Sequence, residues 1–169
     1  MHPLIEKLIK TGPVVTDGSW GTQLQNRGLK RGECPDSWNL SHPERVEEVA
    51  GQYVEAGSQI ILTNTFGGNR LSLGRFNMGA EAVAINTAGV EISKKAAGNR
   101  AAVFASIGPT GKMLLTKETT EEELQNAFEE QADAQARAGA DGIIVETMID
   151  ITEAGIAARA AKRTGLPVI

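Results

Sequence analysis

The sequence has 169 residues, of which 41% are hydrophobic and 22% are charged, and its formal net charge is −4. This length and composition are enough for one domain with a real core, which excludes an intrinsically disordered protein. The acidic balance provides no basic face for nucleic acid or for an anionic membrane, so we expect neither as a partner.

The sequence also lacks the usual signals for a membrane or an oxidising compartment. No apolar run approaches the roughly 18 residues that a bilayer-spanning helix needs, and the N-terminal segment has no signal-peptide core. We therefore expect a soluble cytoplasmic protein. Cys34 is the only cysteine, which excludes an internal disulfide and any metal site built from several thiolates of this chain.

Apolar, β-rich runs predict the strands of a buried sheet. They cover residues 13–18, 59–66, 101–111 and 142–148, and a fifth run begins at residues 166–169. Each is continuously apolar rather than alternating, which is typical of parallel strands covered on both faces.

Helical patterns fill the gaps between these strands. They predict helices over residues 42–57, 80–98, 119–139 and 150–165. Ser41 is the expected cap of the first helix. Thr119 or Thr120 is expected to cap the third helix, where acidic residues fill the first turn. Asp150 or Thr152 is expected to cap the fourth.

The alternation of strands and helices, with strand starts about 40 residues apart, predicts right-handed crossovers in a parallel sheet. Such a sheet is either a doubly wound open sheet or part of a (β/α)₈ barrel, which needs about 250 residues. The sequence ends within an apolar strand whose next partner would be absent. We therefore favour the first four and a half units of a barrel.

Polar residues follow the predicted strands, at the ends where parallel α/β folds carry their chemistry. The candidates are Asp17, Gly18, Thr63, Asn64, Thr65, Phe66, Gly108 and Glu146. Asp17 and Glu146 would accept hydrogen bonds from a ligand ammonium or amide group, and glycines would allow close backbone approach. Alternatively, Asp17 caps the segment after the first strand and Glu146 pairs with a neighbouring Lys or Arg.

Other site types fail on spacing or composition. Residues 108–112 resemble the end of a phosphate-binding loop but lack its first glycine, and Met113 stands where Ser or Thr is needed. With only two histidines in the chain, no Ser-His-Asp set is visible. His42 is expected to be a surface or capping residue, and Cys34 an unreactive loop cysteine. Trp20 and Trp38, in the loop region after the first strand, either wall a ligand site or pack in the core.

Five segments together resemble the homocysteine S-methyltransferase family, which includes cobalamin-dependent methionine synthase and betaine–homocysteine methyltransferase. They are DGSWGTQLQNRG, NLSHPERVEEVAGQYVEAGSQIILTNTFGGNR, INTAGVEISKKAA, ASIGPTG and AGADGIIVETMIDITEA. Because they occur in the family's order over nearly the whole chain, the resemblance is specific.

The resemblance implies that residues 1–169 are the N-terminal part of a single homocysteine-binding (β/α)₈ barrel domain. It implies a methyltransferase, in which an activated donor methylates the zinc-bound thiolate of homocysteine to give methionine. Asp17 and Glu146 match the acids that hold the amino-acid portion of homocysteine. Residues 63–66 and 108–111 match parts of the pocket floor and rim.

The family's zinc is usually held by three cysteines from later segments, and Cys34 matches none of them. We therefore expect that this chain alone neither binds catalytic zinc nor turns over. The methyl donor stays open, with cobalamin or a corrinoid protein among the candidates. Two other functions also stay open: an amine–corrinoid methyltransferase on the same barrel, and a non-catalytic half-barrel that self-associates through its open sheet edge.

Overall fold

The computed structural model describes residues 2–10 and 12–169. Its sheet has three parallel strands in the order β1-β2-β3, namely β1 (Ile60–Leu62), β2 (Ala102–Ile107) and β3 (Gly142–Val145). The helices are α1 (Pro3–Ile9), α2 (Trp20–Asn26), α3 (Trp38–Ser41), α4 (Pro43–Glu55), α5 (Arg70–Gly74), α6 (Ala82–Ala97), α7 (Glu121–Arg137) and α8 (Ile151–Arg163), with a 3₁₀ turn at Gly79–Glu81.

The strands and long helices alternate, so that α6 connects β1 to β2 and α7 connects β2 to β3. Parallel pairing aligns Ile60 with Ala102, and Ile107 with Val145. The three carboxyl ends of the strands therefore lie along one edge of the sheet. The predicted α/β class with a parallel sheet is confirmed.

The first and last predicted strands are each reduced to a single bridge. Thr16 pairs with Ile60 beyond β1, and Val168 pairs with Ile143 beyond β3. Beside β1 the ladder stops early because the carboxylate of Asp17, rather than a backbone carbonyl, accepts the N–H of Leu62. The segment at Thr16 therefore lies beside β1 and the segment at Val168 beside β3, at the two outer sides of the sheet.

Local capping chemistry fixes most helix starts. Thr120 caps α7 in a reciprocal capping box with Glu123, and Asp150 caps α8; each is one of the two caps that the sequence left open. Ser41 was wrongly predicted as the cap of α4. It is the last residue of α3, and its hydroxyl donates back to the carbonyl of Ser37.

The residues after the first strand form helices where the sequence predicted loop. Trp20 begins α2 and Trp38 begins α3. Trp38 is buried with Leu24, Val46 and Val49 on the side of the sheet where α4 lies. Packing in the core therefore accounts for Trp38.

The larger core lies between the sheet and the helices α6, α7 and α8. Fully buried side chains such as Ile107, Phe128 and Ile143 fill it. Burial of each contributes about 1.5–3 kcal/mol, so this core anchors β2 and β3 and with them the carboxyl edge. No helix in the described part of the chain is long and apolar enough to cross a membrane.

Candidate functional site

A cavity of about 530 Å³ opens at the carboxyl edge of the sheet. This volume is within the range of about 300–1,000 Å³ that is usual for small-molecule sites. Five of the eight predicted site residues line it: Gly18, Thr63, Asn64, Phe66 and Glu146. The other three lie beside or beneath its walls.

Asp17 does not line the cavity itself but lies next to Gly18, which does, and two donors hold its carboxylate. Its Oδ2 accepts hydrogen bonds from the indole N–H of Trp20 at 2.8 Å and from the backbone N–H of Leu62 at 2.7 Å. Its Oδ1 is buried and has no partner among the described residues. Asp17 therefore accepts both from the edge of β1 and from Trp20 in the segment that follows the first strand.

The electrostatics of Asp17 favour a positively charged partner. Burial raises the pKa of its carboxyl group, the hydrogen bonds from Leu62 and Trp20 oppose that rise, and the negative charge of Glu146 raises the pKa further. The two predicted acids are therefore close enough to repel each other. A cation between them would relieve both the burial and the repulsion.

Glu146 directly follows β3, and its backbone N–H donates to the carbonyl of Ile107 at 3.0 Å. Its Oε1 accepts a hydrogen bond from the hydroxyl of Ser106 at 2.6 Å. None of the ion pairs found within residues 2–10 and 12–169 includes Glu146. The next residue, Thr147, has a left-handed backbone with φ of 58°, which is a strained conformation for a β-branched residue.

The threonines after β1 support the floor of the cavity. The Thr63 and Thr65 hydroxyls are 2.6 Å apart, and the Thr65 hydroxyl also donates to the carbonyl of Ser106 at 2.8 Å. Thr65 is fully buried and does not line the cavity. Its contacts place it beneath the floor, whereas Thr63 lies at the surface of the cavity.

Asn64 and Gly108 shape the remaining wall. The Asn64 amide donates to the carbonyl of Pro35 at 2.8 Å and to Oδ1 of Asn39 at 2.9 Å, which fixes the turn after β1. The ring of Phe66 lies against Gly108 so closely that a Cβ there would be 2.5 Å from Cε2 of the ring. Glycine at position 108 thus lets Phe66 form the cavity wall.

A buried amide cluster, formed by Asn86, Gln131 and Gln135, lies under the floor and was missed by the sequence analysis. Gln135 Nε2 donates to the Ser106 carbonyl at 3.0 Å and to Asn86 Oδ1 at 2.9 Å. Gln131 Nε2 donates to the Thr65 carbonyl at 2.8 Å. Polar side chains spaced four apart on the inner face of the predicted third helix were the available signal.

The buried amide cluster is maintained at a free-energy cost. The Oε1 atoms of Gln131 and Gln135 are buried without a hydrogen-bond partner. Each unsatisfied buried acceptor costs about 1–3 kcal/mol. The two glutamines therefore provide hydrogen-bond donors to the floor, while their own Oε1 acceptors stay unpaired.

Asp36 is a third acid at the cavity, also missed from the sequence. It is buried, and its Oδ1 accepts the N–H of Gly67 at 2.9 Å. Burial raises the pKa of Asp36 to about 6. The Cys34 thiol donates to Asp36 Oδ2 at 3.9 Å. Burial, and to a smaller extent the negative charge of Asp36, raises the pKa of the Cys34 thiol. Cys34 is therefore disfavoured as a thiolate.

The donor set of the described residues does not fit the zinc centre that the family resemblance implies. Zinc in proteins takes four ligands, mostly Cys and His, or three with one open position. Among residues 2–10 and 12–169, no three His, Cys, Asp or Glu side chains come together as a metal site. Cys34 is paired with Asp36, and the sequence contains no second thiol.

Comparison with known proteins assigns the family. The family model described as homocysteine S-methyltransferase matches residues 14–169. The chain belongs to the homocysteine S-methyltransferase family. This family member is 29% identical over 164 residues to methionine synthase from Mycobacterium leprae (strain TN), covering 89% of the chain and 13% of that protein. It is 28% identical over 171 residues to betaine–homocysteine S-methyltransferase 1 from Bos taurus, covering 98% and 42% respectively.

Solved structures show the same fold for this family member. The metallated form of the homocysteine methyltransferase MmuM from Escherichia coli aligns with a TM-score of 0.82 at 21% identity, covering 96% of this chain and 64% of that one. Its apo form aligns with a TM-score of 0.72 at 22% identity. The chain thus spans less than two thirds of these relatives' length.

Proposed function

We propose that the protein transfers a methyl group from an activated donor to the thiol sulfur of homocysteine, giving methionine. Membership of the homocysteine S-methyltransferase family supports this reaction. We further propose that residues 1–169 are the N-terminal part of one (β/α)₈ barrel domain. The sequential parallel order of the strands, extended by the bridges at Thr16 and Val168, supports that architecture.

The observation that carries the proposal is the unpaired, buried Oδ1 of Asp17, which lies beside the cavity that Gly18 and Glu146 line. The ammonium group of an amino acid provides a positive charge to balance the two carboxylates and N–H donors for their unpaired oxygens. Hydrogen bonds to charged groups contribute about 1.5–3 kcal/mol each. We assign Asp17 and Glu146 to the ammonium group of homocysteine.

The remaining predicted residues take supporting roles in this proposal. Gly18, Thr63, Asn64 and Phe66 form the surface against which the substrate packs. Gly108 leaves room for the ring of Phe66. Thr65 stabilises the cavity floor through its hydrogen bond to the Ser106 carbonyl. None of these side chains can activate the homocysteine thiol, so we assign them to binding and orienting the substrate.

Zinc, when bound, lowers the pKa of a coordinated thiol and so provides a nucleophile at neutral pH. Because the described residues offer no fitting donor set, we propose that the family's cysteine ligands lie outside these 169 residues. The chain alone should then purify without stoichiometric zinc and without turnover, by metal analysis and by methyl-transfer assay. Methyl-cobalamin or a methylated corrinoid protein is the proposed class of donor.

A second candidate function is methyl transfer from a quaternary amine to a corrinoid protein. The aromatic side chains of Trp20, Phe66 and Phe76 line the same cavity as Glu146. Aromatic walls with a nearby acid suit a quaternary ammonium group through cation–π attraction. Binding of glycine betaine in preference to homocysteine would favour this second function.

Calorimetry with two thiols tests the ammonium assignment. L-homocysteine should bind the chain at least about tenfold more tightly than 4-mercaptobutyrate, which lacks the ammonium group, because one charged hydrogen bond is worth that much. Asp17→Asn and Glu146→Gln should each abolish most of the difference, whereas Asp133→Asn, on the exposed face of α7, should leave it intact. Equal binding of both thiols would overturn the assignment.

A further inference from the structure

We propose that Ser106 is a positioning residue that orients Glu146 toward the substrate, an inference that rests on the proposed function. Ser106 lies in β2 opposite Ile144 of β3 and is buried at the cavity wall. Its hydroxyl donates to Oε1 of Glu146 at 2.6 Å. Among the described residues, this is the one hydrogen bond that the Glu146 side chain makes.

The backbone of Ser106 is fixed on both sides. Its N–H donates to the hydroxyl of Thr63 at 3.1 Å. Its carbonyl accepts from the Thr65 hydroxyl at 2.8 Å and from Gln135 Nε2 at 3.0 Å. The buried amide cluster therefore fixes the backbone position from which the Ser106 side chain extends. Two hydrogen bonds in series, from Gln135 to Ser106 and from Ser106 to Glu146, link α7 to the acid that faces the ligand.

The backbone of Glu146 is fixed as well, by its bond to the carbonyl of Ile107 and by the left-handed residue Thr147 that follows. What remains free is the rotation of the Glu146 side chain. The Ser106 hydroxyl engages one carboxylate oxygen and thereby selects one rotamer. The other oxygen is then left for a ligand.

The hydroxyl of Ser106 is separable from the fold. All contacts between Ser106 and the buried amide cluster use the backbone carbonyl, which an alanine at position 106 would retain. Replacement by alanine therefore removes the bond to Glu146 and leaves the floor in place. A purely structural serine would instead affect stability and ligand binding together.

The experiment is a double-mutant cycle in L-homocysteine affinity, measured by calorimetry on the 169-residue chain. Ser106→Ala should weaken binding about tenfold, the value of one hydrogen bond to a charged group. Ser106→Thr keeps the hydroxyl and should restore affinity. In the Glu146→Gln background, Ser106→Ala should cost less than about twofold further, because a residue that acts through Glu146 has nothing left to orient.

Ser58→Ala is the matched control, since Ser58 is a buried serine at the opposite edge of the sheet whose hydroxyl donates to the Thr16 carbonyl at 3.4 Å. It should leave affinity unchanged. If the losses from Ser106→Ala and Glu146→Gln add, Ser106 acts on the ligand independently and the inference is overturned alone. If the unsubstituted chain binds no homocysteine, the assignment of Asp17 and Glu146 to the ammonium group fails and takes this inference with it.

Discussion

Oε1 of Glu153 accepts two hydrogen bonds from Thr110, one from the backbone N–H at 2.8 Å and one from the hydroxyl at 2.6 Å. Glu153 lies in the first turn of α8, and Thr110 lies in the loop after β2. Both residues are buried. This contact joins two neighbouring βα units at the edge of the sheet where the cavity opens.

Glu153→Gln should lower the free energy of unfolding by about 1–3 kcal/mol, because the amide leaves a buried donor unpaired next to Thr110. Urea denaturation followed by circular dichroism measures the change. Glu91→Gln, on the exposed face of α6, should stay within about 0.5 kcal/mol of the parent. Equal effects of both substitutions would show that the contact does not stabilise the loop.

Two glycines that touch aromatic rings should respond differently to alanine. A Cβ at Gly142 would lie 2.3 Å from the ring of Phe104, which is buried in the core. Gly142→Ala should therefore destabilise the chain by about 1–3 kcal/mol through overpacking. At Gly108 the ring that must move is Phe66, which is 42% exposed. Gly108→Ala should cost less stability but should weaken homocysteine binding, because Phe66 moves into the cavity.

Thermal unfolding and calorimetry on the two alanine variants separate these effects. Gly51→Ala is the control, since a Cβ at this position in α4 meets nothing within 4 Å. It should stabilise the chain by about 0.5–1 kcal/mol through helix propensity. A larger loss of stability at position 108 than at position 142 would contradict the expected order.

The buried acid Asp36 should make stability depend on pH. Its pKa rises from 3.8 in the unfolded chain to about 6 in the folded one, so the folded state binds the proton more tightly. The contribution to stability is therefore fully present below pH 3.8 and is lost as the pH rises through about 6. The loss amounts to about 3 kcal/mol at the conversion of 1.36 kcal/mol per pKa unit.

Asp36→Asn should remove this dependence, because the amide cannot ionise. Urea denaturation between about pH 4 and pH 7 should show the stability of the parent falling more steeply with pH than that of the variant. Parallel curves for the two proteins would show that Asp36 titrates at its ordinary pKa.

Thr147→Asn should raise the free energy of unfolding by about 1 kcal/mol, since asparagine tolerates the left-handed backbone better than a β-branched residue does. Thr147 is exposed, so no buried contact is lost. Chemical denaturation measures the gain. Thr87→Asn, within α6, should bring no gain in stability. A loss of stability on Thr147→Asn would show that the backbone at position 147 is not strained.

Elements with local signals were predictable from sequence, and elements that depend on neighbours were not. The capping box of Thr120 and Glu123 is a short-range pattern, so the sequence placed the start of α7 to within one residue, at Thr119 or Thr120. The strand predicted at residues 59–66 ends at Leu62 instead. Beyond it, the side-chain hydroxyl of Thr63 accepts the N–H of Ser106, in place of a backbone carbonyl.

The same distinction applies to the candidate site. That Asp17 and Glu146 lie at the same edge of the sheet follows from parallel strands ending together. The partners of Asp36, Ser106 and Gln135 could not be predicted, because Gly67, Glu146 and the Ser106 carbonyl come from segments far along the chain. Gln135, for example, reaches the carbonyl of a residue 29 positions earlier.

The hydrogen bond from Leu62 to Asp17 restricts which side chains can replace aspartate at position 17. Since Oδ2 takes the role of a missing strand carbonyl, a replacement must complete the β-ladder as well as serve the ammonium binding that we propose. Aspartate and asparagine have the reach for the first task, and of these two only aspartate carries the charge for the second. The architecture and the proposed recognition therefore require the same side chain.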